Sequence, residues 1–559
     1  MTGKHASMRA IESGKISMID QLKAISATAF IVGIYVALRW NLLDVPLDRD
    51  EGGFAYIGQI INAGGLPYQD ATDHKPPLVF YLYALAQRVF PESATGIHLF
   101  GHIYNFITLI VLATLARKIT GNYAAAFFTA LIFAAFSAAA SLQGFTTSVA
   151  LLMLLPISLS ALSAAYAIEK QKWTYVLLSG FFGALACWLK PVAFFSIIPL
   201  FAWVVWKWEA SPRDSSHLHT SHRRALTRIR TTAIWLSGGM LSSILVLLPF
   251  AANGLLSEVW YWTFTHNFAY SQAIDISQNL ARVISWIRHV LWPKGESIPV
   301  LAALTGCVLM LSFRIKYSVF VTSFLVGSVV GTIPGHNYNH YFMQWAPAVS
   351  LAAGVALAIL IANRTKFFRF SIGSLAALAT LIMPLAMLPG YYVTDPAHVI
   401  SRKAFGANPF PESEVLAEWL RQNSENDNTV FIYGSEPQIL FLSGLRNVSR
   451  HIYMYPLLQN FERHEEFQEE AIRDIIKERP TFIVSTNVPT SLLASRSASP
   501  RFDRAITRYV QENYRPVGWI PVTNIAPEFN SISIMDRNLA RRFSEHTYRI
   551  LLFKRSSRE

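Results

Sequence analysis

Along the first 390 or so residues, apolar positions come in long blocks broken by short polar turns. The blocks fall near 24–43, 97–116, 123–141, 147–168, 174–189, 191–206, 232–251, 298–313, 317–334, 343–362 and 371–389. A helix needs ~20 apolar residues to cross a ~30 Å hydrocarbon core, so the blocks predict about eleven membrane-spanning helices. From about 390 onward the texture changes. Short β-rich runs ("TVFIYG", "PTFIVST", "YRILLFKR") alternate with amphipathic helical patterns ("SEVLAEWLRQN", "EEFQEEAIRDIIKE"), which is the signature of an α/β domain.

Composition agrees with a membrane protein. Of 559 residues, 52% are hydrophobic and 15% charged, against roughly 25% charged in soluble domains. The net charge of +13 would suggest nucleic acid if it clustered on a soluble face. Instead the basic residues sit mostly in short turns between apolar blocks. With a cytoplasmic N-terminus at 1–23, Arg117 and Lys118, Lys170 and Lys172, the 207–230 loop, Arg314 and Lys316, and Arg364 to Arg369 all fall inside. That satisfies the positive-inside rule at each of these loops. The loop at 44–96, a second long loop at 252–297, the "PGHNYNHYF" turn and the domain at 390–559 are then external. No small-residue cleavage site follows the first block, which reads as a retained helix. The two cysteines, Cys187 and Cys307, lie in apolar blocks and supply no disulfide framework.

The polar loop after the first span carries candidate chemistry. Asp48, Arg49, Asp50 and Glu51 stand where the chain leaves the membrane, and Gly52 and Gly53 permit close backbone approach. Phe54, Ile57, Gly58 and Ile61 share a helical face, predicting a short interfacial helix with the acids at its N-terminus. "DHKPPLVFYLYAL" then opens a second helix at Pro76 and Pro77, which puts Lys75 at a helix N-terminus, a place that attracts phosphate. Loop acids are most often merely solvated and such lysines merely snorkel. Together, though, they offer a base and an anion site on one membrane surface.

The stretch "DEGGFAYIGQIINAGGLPYQDATDHKPPLVFYLYAL" resembles the first external loop of the bacterial protein O-mannosyltransferase and aminoarabinose-transferase superfamily, the GT-C glycosyltransferases. "GALACWLKP", "YWTFTHNFAY" and "HYFMQWAPAVSLAAG" continue the resemblance through most of the membrane portion. It implies a polytopic α-helical GT-C membrane domain at 24–389 with an external α/β domain. It also implies inverting transfer of a sugar from a polyprenyl-phosphate carrier, at the external face of the bacterial inner membrane. The acceptor would be lipopolysaccharide or lipid A, another glycan, or a protein.

By position, Asp50 is the expected base and Glu51 its partner in acceptor or metal binding. Lys75, with Lys190, is expected to bind the donor phosphate. Asp73, His74, His266, Asn267, His340 and Tyr341 are expected to line the substrate cavity. Some relatives hold a divalent metal through the residue before the Lys-Pro and a histidine of the second long loop, which correspond to His74 and His266. External histidines also serve as interfacial hydrogen-bonders. Several relatives carry a second acid after the third helix, where this chain has "SLQGFTTS" with Gln143 and Thr146, so a single-base scheme fits better. Lys190 can equally be a snorkelling anchor, and the aromatics from Trp260 to Tyr270 an interfacial belt. The turn in "FIYGSEPQIL" is weak evidence for a nucleotide site. A transporter or flippase would put charges near the bilayer midplane and show inverted repeats, and a scaffold would not need the acidic loop.

Overall fold

The computed structural model describes residues 18–209, 221–272, 276–334, 338–362, 375, 379, 383–425, 427–494, 500–532 and 546–556. Among these, six helices are long and apolar enough to cross a membrane: Ala24–Leu42, Ala94–Thr120, Val149–Lys170, Pro191–Trp208, Arg224–Ala252 and Asn339–Ala362. Shorter apolar helices at Tyr123–Phe136, Trp173–Leu189, Ile298–Ser312 and Ser318–Val330 match four further predicted blocks. The block at 371–389 lies mostly outside the described residues, as do 210–220 of the basic loop and His336.

Local signals explain where the helices begin and end. Ser93 accepts from Gly96 N at the start of Ala94–Thr120, and Gly121 ends that helix at φ 68°, a conformation glycine adopts without a Cβ penalty. Helix contacts are made at small residues, as in membrane bundles. Gly180 packs against the Trp235 carbonyl and Gly238 against that of Leu177, which brings Trp173–Leu189 and Ser221–Ala252 together. Lys118 pairs with Glu169, and Arg230 lies 4.7 Å over the Trp173 ring. The turns that carry Lys118, Glu169 and Trp173 therefore lie at the same end of the bundle as Arg230.

The C-terminal portion is the expected α/β domain. Strands β1 (Thr429–Tyr433), β2 (Arg446–Asn447), β3 (Phe482–Thr486), β4 (Tyr514–Pro521), β5 (Asn530–Ser531) and β6 (Arg549–Arg555) form one sheet in the order β2-β1-β3-β6-β4-β5. β2, β1 and β3 are parallel, and β6, β4 and β5 continue antiparallel. Helices Gln438–Ser443 and His464–Glu478 make the crossovers β1 to β2 and β2 to β3. The carboxyl end of β1, which carries Gly434 and Ser435, therefore marks the switch point of the parallel part.

This domain is seated on the polar loop that follows the first membrane helix. The loop forms helix α1 (Arg49–Asn62) and helix α2 (Leu78–Val89), the latter starting at Leu78, just after the two prolines. Asn447 N donates to Tyr56 Oη at 2.9 Å, and Thr72 N to Arg450 O at 2.8 Å. Arg450 in turn reaches Tyr68 O at 3.0 Å.

Candidate active site

The N-terminus of α1 is fixed by a capping box, in which two otherwise unpaired backbone donors are satisfied reciprocally. Asp48 Oδ1 accepts from Glu51 N at 2.9 Å and Glu51 Oε2 from Asp48 N at 3.3 Å. Glu51 is fully buried. Its Oε1 also accepts from Thr147 N at 2.6 Å and faces His98 Nε2 at 3.3 Å, while His98 Nδ1 lies 3.0 Å from Leu43 O. Sequence reading made Glu51 a partner in acceptor or metal binding. The structure instead commits one carboxylate oxygen to Thr147 N in the loop behind the site and the other to the N-terminus of α1.

The two glycines after the acids allow α1 to lie directly on the C-terminal domain. A Cβ on Gly52 would stand 2.5 Å from both Cβ and N of Gln438, and one on Gly53 would overlap the Tyr453 hydroxyl. Arg49 fastens the same contact. Its Nε donates to Ser435 O at 2.5 Å, and its Nη2 reaches Asn408 Oδ1 at 3.2 Å and the buried Glu436 carboxylate at 3.1 Å. The "FIYGSEPQIL" turn is thus the docking surface for α1.

Asp50, between these anchors, keeps its carboxylate free of them. Asp50 Oδ2 lies 3.3 Å from Lys75 Nζ, with the aspartate side chain 35% exposed. Burial alone would raise this carboxyl, but the Lys75 ammonium, then His340 and Arg49, outweigh it and hold its pKa below the ordinary value. Lys75 is held above its ordinary value in turn: burial opposes its charge, and Asp50 and then Asp73 more than compensate. Its Nζ also donates to His74 Nε2 at 3.0 Å. His74 Nδ1 faces the Tyr455 hydroxyl and stands 3.3 Å from Asp73 Oδ1.

Asp73, expected in the cavity, is buried behind it. It accepts from Lys75 N at 3.2 Å and from Tyr453 Oη at 3.3 Å, and burial pushes its pKa up to about 7. Asn267 is likewise a support: its Nδ2 donates to the backbone oxygens of His74, Trp262 and Thr263. His266 is buried among Trp262, Phe461 and Tyr455. Burial, then the Lys75 charge, lowers its pKa to about 4.

The turn in "SLQGFTTS" reaches the site without an acid of its own. Glu296, from the end of the second long loop, accepts from Ala140 N at 2.8 Å and Ser141 N at 3.0 Å, and Glu51 holds Thr147 N at the far end. Between these two carboxylates Gln143 adopts φ 51°, and its Oε1 lies 3.3 Å from His340 Nδ1. Tyr341 presents its ring to Lys190, whose Nζ lies 3.4 Å from the centroid. Lys190 itself is not part of the cavity wall.

These groups surround a cavity of about 430 Å³ between the helices and the C-terminal domain. Of the residues expected from sequence, Asp50, His74, Lys75, His340 and Tyr341 line it; Glu51, Asp73, Lys190, His266 and Asn267 do not. Sequence reading missed the opposite wall, where Phe405, Asn408, Phe410, Tyr453, Tyr455 and Thr490 come from the C-terminal domain. No local motif marks them, because they converge only through the docking of α1.

A metal held by His74 and His266 does not fit these residues. Their ring centroids are 5.9 Å apart, but His74 Nε2 already faces a lysine ammonium, and a cation beside a ligand nitrogen repels a metal. A zinc-like site takes three or four ligands, and no group of three His, Cys, Asp or Glu suited to a metal occurs among the described residues.

Residues 74–235 match the family described as dolichyl-phosphate-mannose-protein mannosyltransferase. Among solved structures, ArnT from Cupriavidus metallidurans bound to undecaprenyl phosphate is similar with a TM-score of 0.56 at 14% identity, covering 85% of this chain and 95% of that one. ArnT in the apo state gives a TM-score of 0.56 at 12% identity, covering 95% of this chain and 98% of that one. No curated protein matches the chain. The chain has the GT-C fold of these structures.

Proposed function

We propose that this protein is a glycosyltransferase that moves a sugar from a polyprenyl-phosphate carrier to an acceptor hydroxyl. The observation that carries the reading is a carboxylate and an ammonium paired on one cavity, Asp50 and Lys75 at 3.3 Å. The family match across 74–235 and the fold shared with ArnT, which was captured with undecaprenyl phosphate, support it. A transporter would instead carry its ionisable groups at mid-bilayer.

In this reading Asp50 takes the acceptor proton as the acceptor oxygen bonds to the anomeric carbon. The carbon–oxygen bond to phosphate breaks with its electron pair on the phosphate, and Lys75 stabilises the charge that develops there. Attack from the face opposite the phosphate gives inversion. Asp50 is already ionised at neutral pH, so it receives a hydrogen bond from the hydroxyl before transfer begins. As the phosphate gains charge it draws on Lys75, and the carboxylate becomes more basic as its counter-ion is shared. Lys190, with its Nζ 3.4 Å from the centroid of the Tyr341 ring, supports that ring from behind the cavity.

The topology that accompanies this reading has about eleven spans, a cytoplasmic N-terminus and the α/β domain on the external side of a bacterial inner membrane. The basic turns at one end of the bundle and the acidic loop at the other favour it. The test is to incubate the purified full-length protein with undecaprenyl-phosphate-linked sugars and a mixed acceptor panel, following release of undecaprenyl phosphate. Sugar-dependent release is expected; its absence for every donor would refute the reading.

A further inference from the structure

The contacts around Asp50 leave one wall of the cavity with no role in donor chemistry. That wall is built at the carboxyl ends of β1 and β3, the switch point where open α/β sheets bind ligands. Asn408 precedes the helix Phe410–Asn423, and Thr490 follows β3 in the short helix Pro489–Leu492. Thr490 Oγ1 donates to Asn408 Oδ1 at 2.7 Å, Arg49 Nη2 donates to the same oxygen at 3.2 Å, and Asn408 Nδ2 donates to Phe405 O at 2.7 Å. These bonds fix the amide orientation. They leave one Nδ2 hydrogen as a donor and the Thr490 oxygen as an acceptor, the pair a sugar hydroxyl requires. Phe405 and Phe410, 5.0 Å apart between centroids, supply apolar ring surface beside them.

The charges on the cavity narrow the class of acceptor. Among the described residues its lysines and arginines are Lys75 and Arg49. Lys75 faces Asp50 and the donor phosphate, and Arg49 is paired with buried Glu436 at 3.1 Å. Among the described residues the C-terminal wall thus has no uncompensated cation for a phosphorylated acceptor, and burying an unpaired anion against them would be costly. We infer that the acceptor is an uncharged carbohydrate, seated by Asn408 and Thr490 against Phe405 and Phe410, with the hydroxyl it offers directed at Asp50. This rests on the glycosyltransferase reading and names its second substrate.

The test uses the full-length protein in lipid nanodiscs, with undecaprenyl-phosphate-linked sugars as donors. The acceptors are neutral oligosaccharides, a phosphorylated glucosamine disaccharide and a Ser/Thr peptide. Transfer to the neutral oligosaccharides is expected. Thr490→Val, a near-isosteric change at an exposed side chain, should raise the acceptor KM roughly tenfold while leaving donor KM and undecaprenyl-phosphate binding unchanged. Asn408→Ala should raise acceptor KM further. Preference for the phosphorylated disaccharide or the peptide, or an unchanged acceptor KM in Thr490→Val, would overturn the inference while the transferase reading stands. Failure to bind undecaprenyl phosphate, with no sugar moved to any acceptor, would overturn both.

Discussion

Lys75 Nζ stands 3.3 Å from Asp50 Oδ2, and the same ammonium donates to His74 Nε2 at 3.0 Å. The lysine thereby holds the aspartate ionised and fixes the neighbouring imidazole in one tautomer.

Asp50→Asn removes the base but keeps the shape of the side chain. Transfer should fall by about 10²–10⁴-fold, with the melting temperature within a degree or two of the parent. Activity within tenfold of the parent would remove Asp50 from the role of base.

Lys75→Gln should act on pH dependence as well as on rate. In the parent the positive charge keeps the Asp50 pKa below its ordinary value, so the acid limb of kcat/KM lies lower than an unpaired carboxylate would place it. Without the lysine, burial acts unopposed by its main partner and the limb moves upward toward neutral pH. Donor use should suffer far more than acceptor use. An unmoved acid limb across a pH titration of the variant would disprove the coupling.

Glu51→Gln tests the separation of roles between adjacent acids. Glu51 is fully buried and shared among Thr147 N, Asp48 N and His98. Its loss should destabilise the fold by about 3–5 kcal/mol, visible as a lowered melting temperature, with activity falling as folded protein is lost. A stable but inactive Glu51→Gln protein would return this residue to the chemistry.

Gly53→Ala and Gly52→Ala should both loosen the seat of the C-terminal domain, by about 1–3 kcal/mol each. They differ in what relieves them. The obstacle at Gly53 is the end of the Tyr453 side chain, so Tyr453→Leu should recover much of the melting temperature. At Gly52 the obstacle includes Gln438 N at 2.5 Å and Cα at 2.6 Å, so Gln438→Ala should recover little. Equal rescue in the two pairs would contradict the geometry.

Asp73 should make stability pH-dependent. Its pKa is pushed from 3.8 to about 7, so between those values the folded chain holds a proton that the unfolded chain has released. The contribution of this group therefore falls as pH rises from about 4 to about 7. Asp73→Asn cannot ionise and should flatten that part of the melting-temperature profile. An equally steep profile in the variant would show that other groups set it.

Much of the architecture was legible in the chain because lipid imposes a simple code. A backbone with no water around it must close its hydrogen bonds within helices, so apolar blocks report helices directly. The α/β texture after 390 was legible for the same kind of reason, through local periodicity. Asp50 and Lys75 were found because both lie in one loop, at helix ends whose punctuation is local.

The sequence by itself therefore determined the helices, the strand-and-helix texture after 390 and the placing of Asp50 and Lys75 in one loop. Only the tertiary structure decided which acid faces the cavity. Asp50 and Glu51 are neighbours in the chain, yet successive helical positions diverge by ~100°, given 3.6 residues per turn. The docking of α1 on Gln438 and Tyr453 sends Glu51 into the loop at Thr147 and leaves Asp50 beside Lys75. The same docking brings Asn408 and Thr490 to the site from more than three hundred residues away, a convergence that no local pattern encodes.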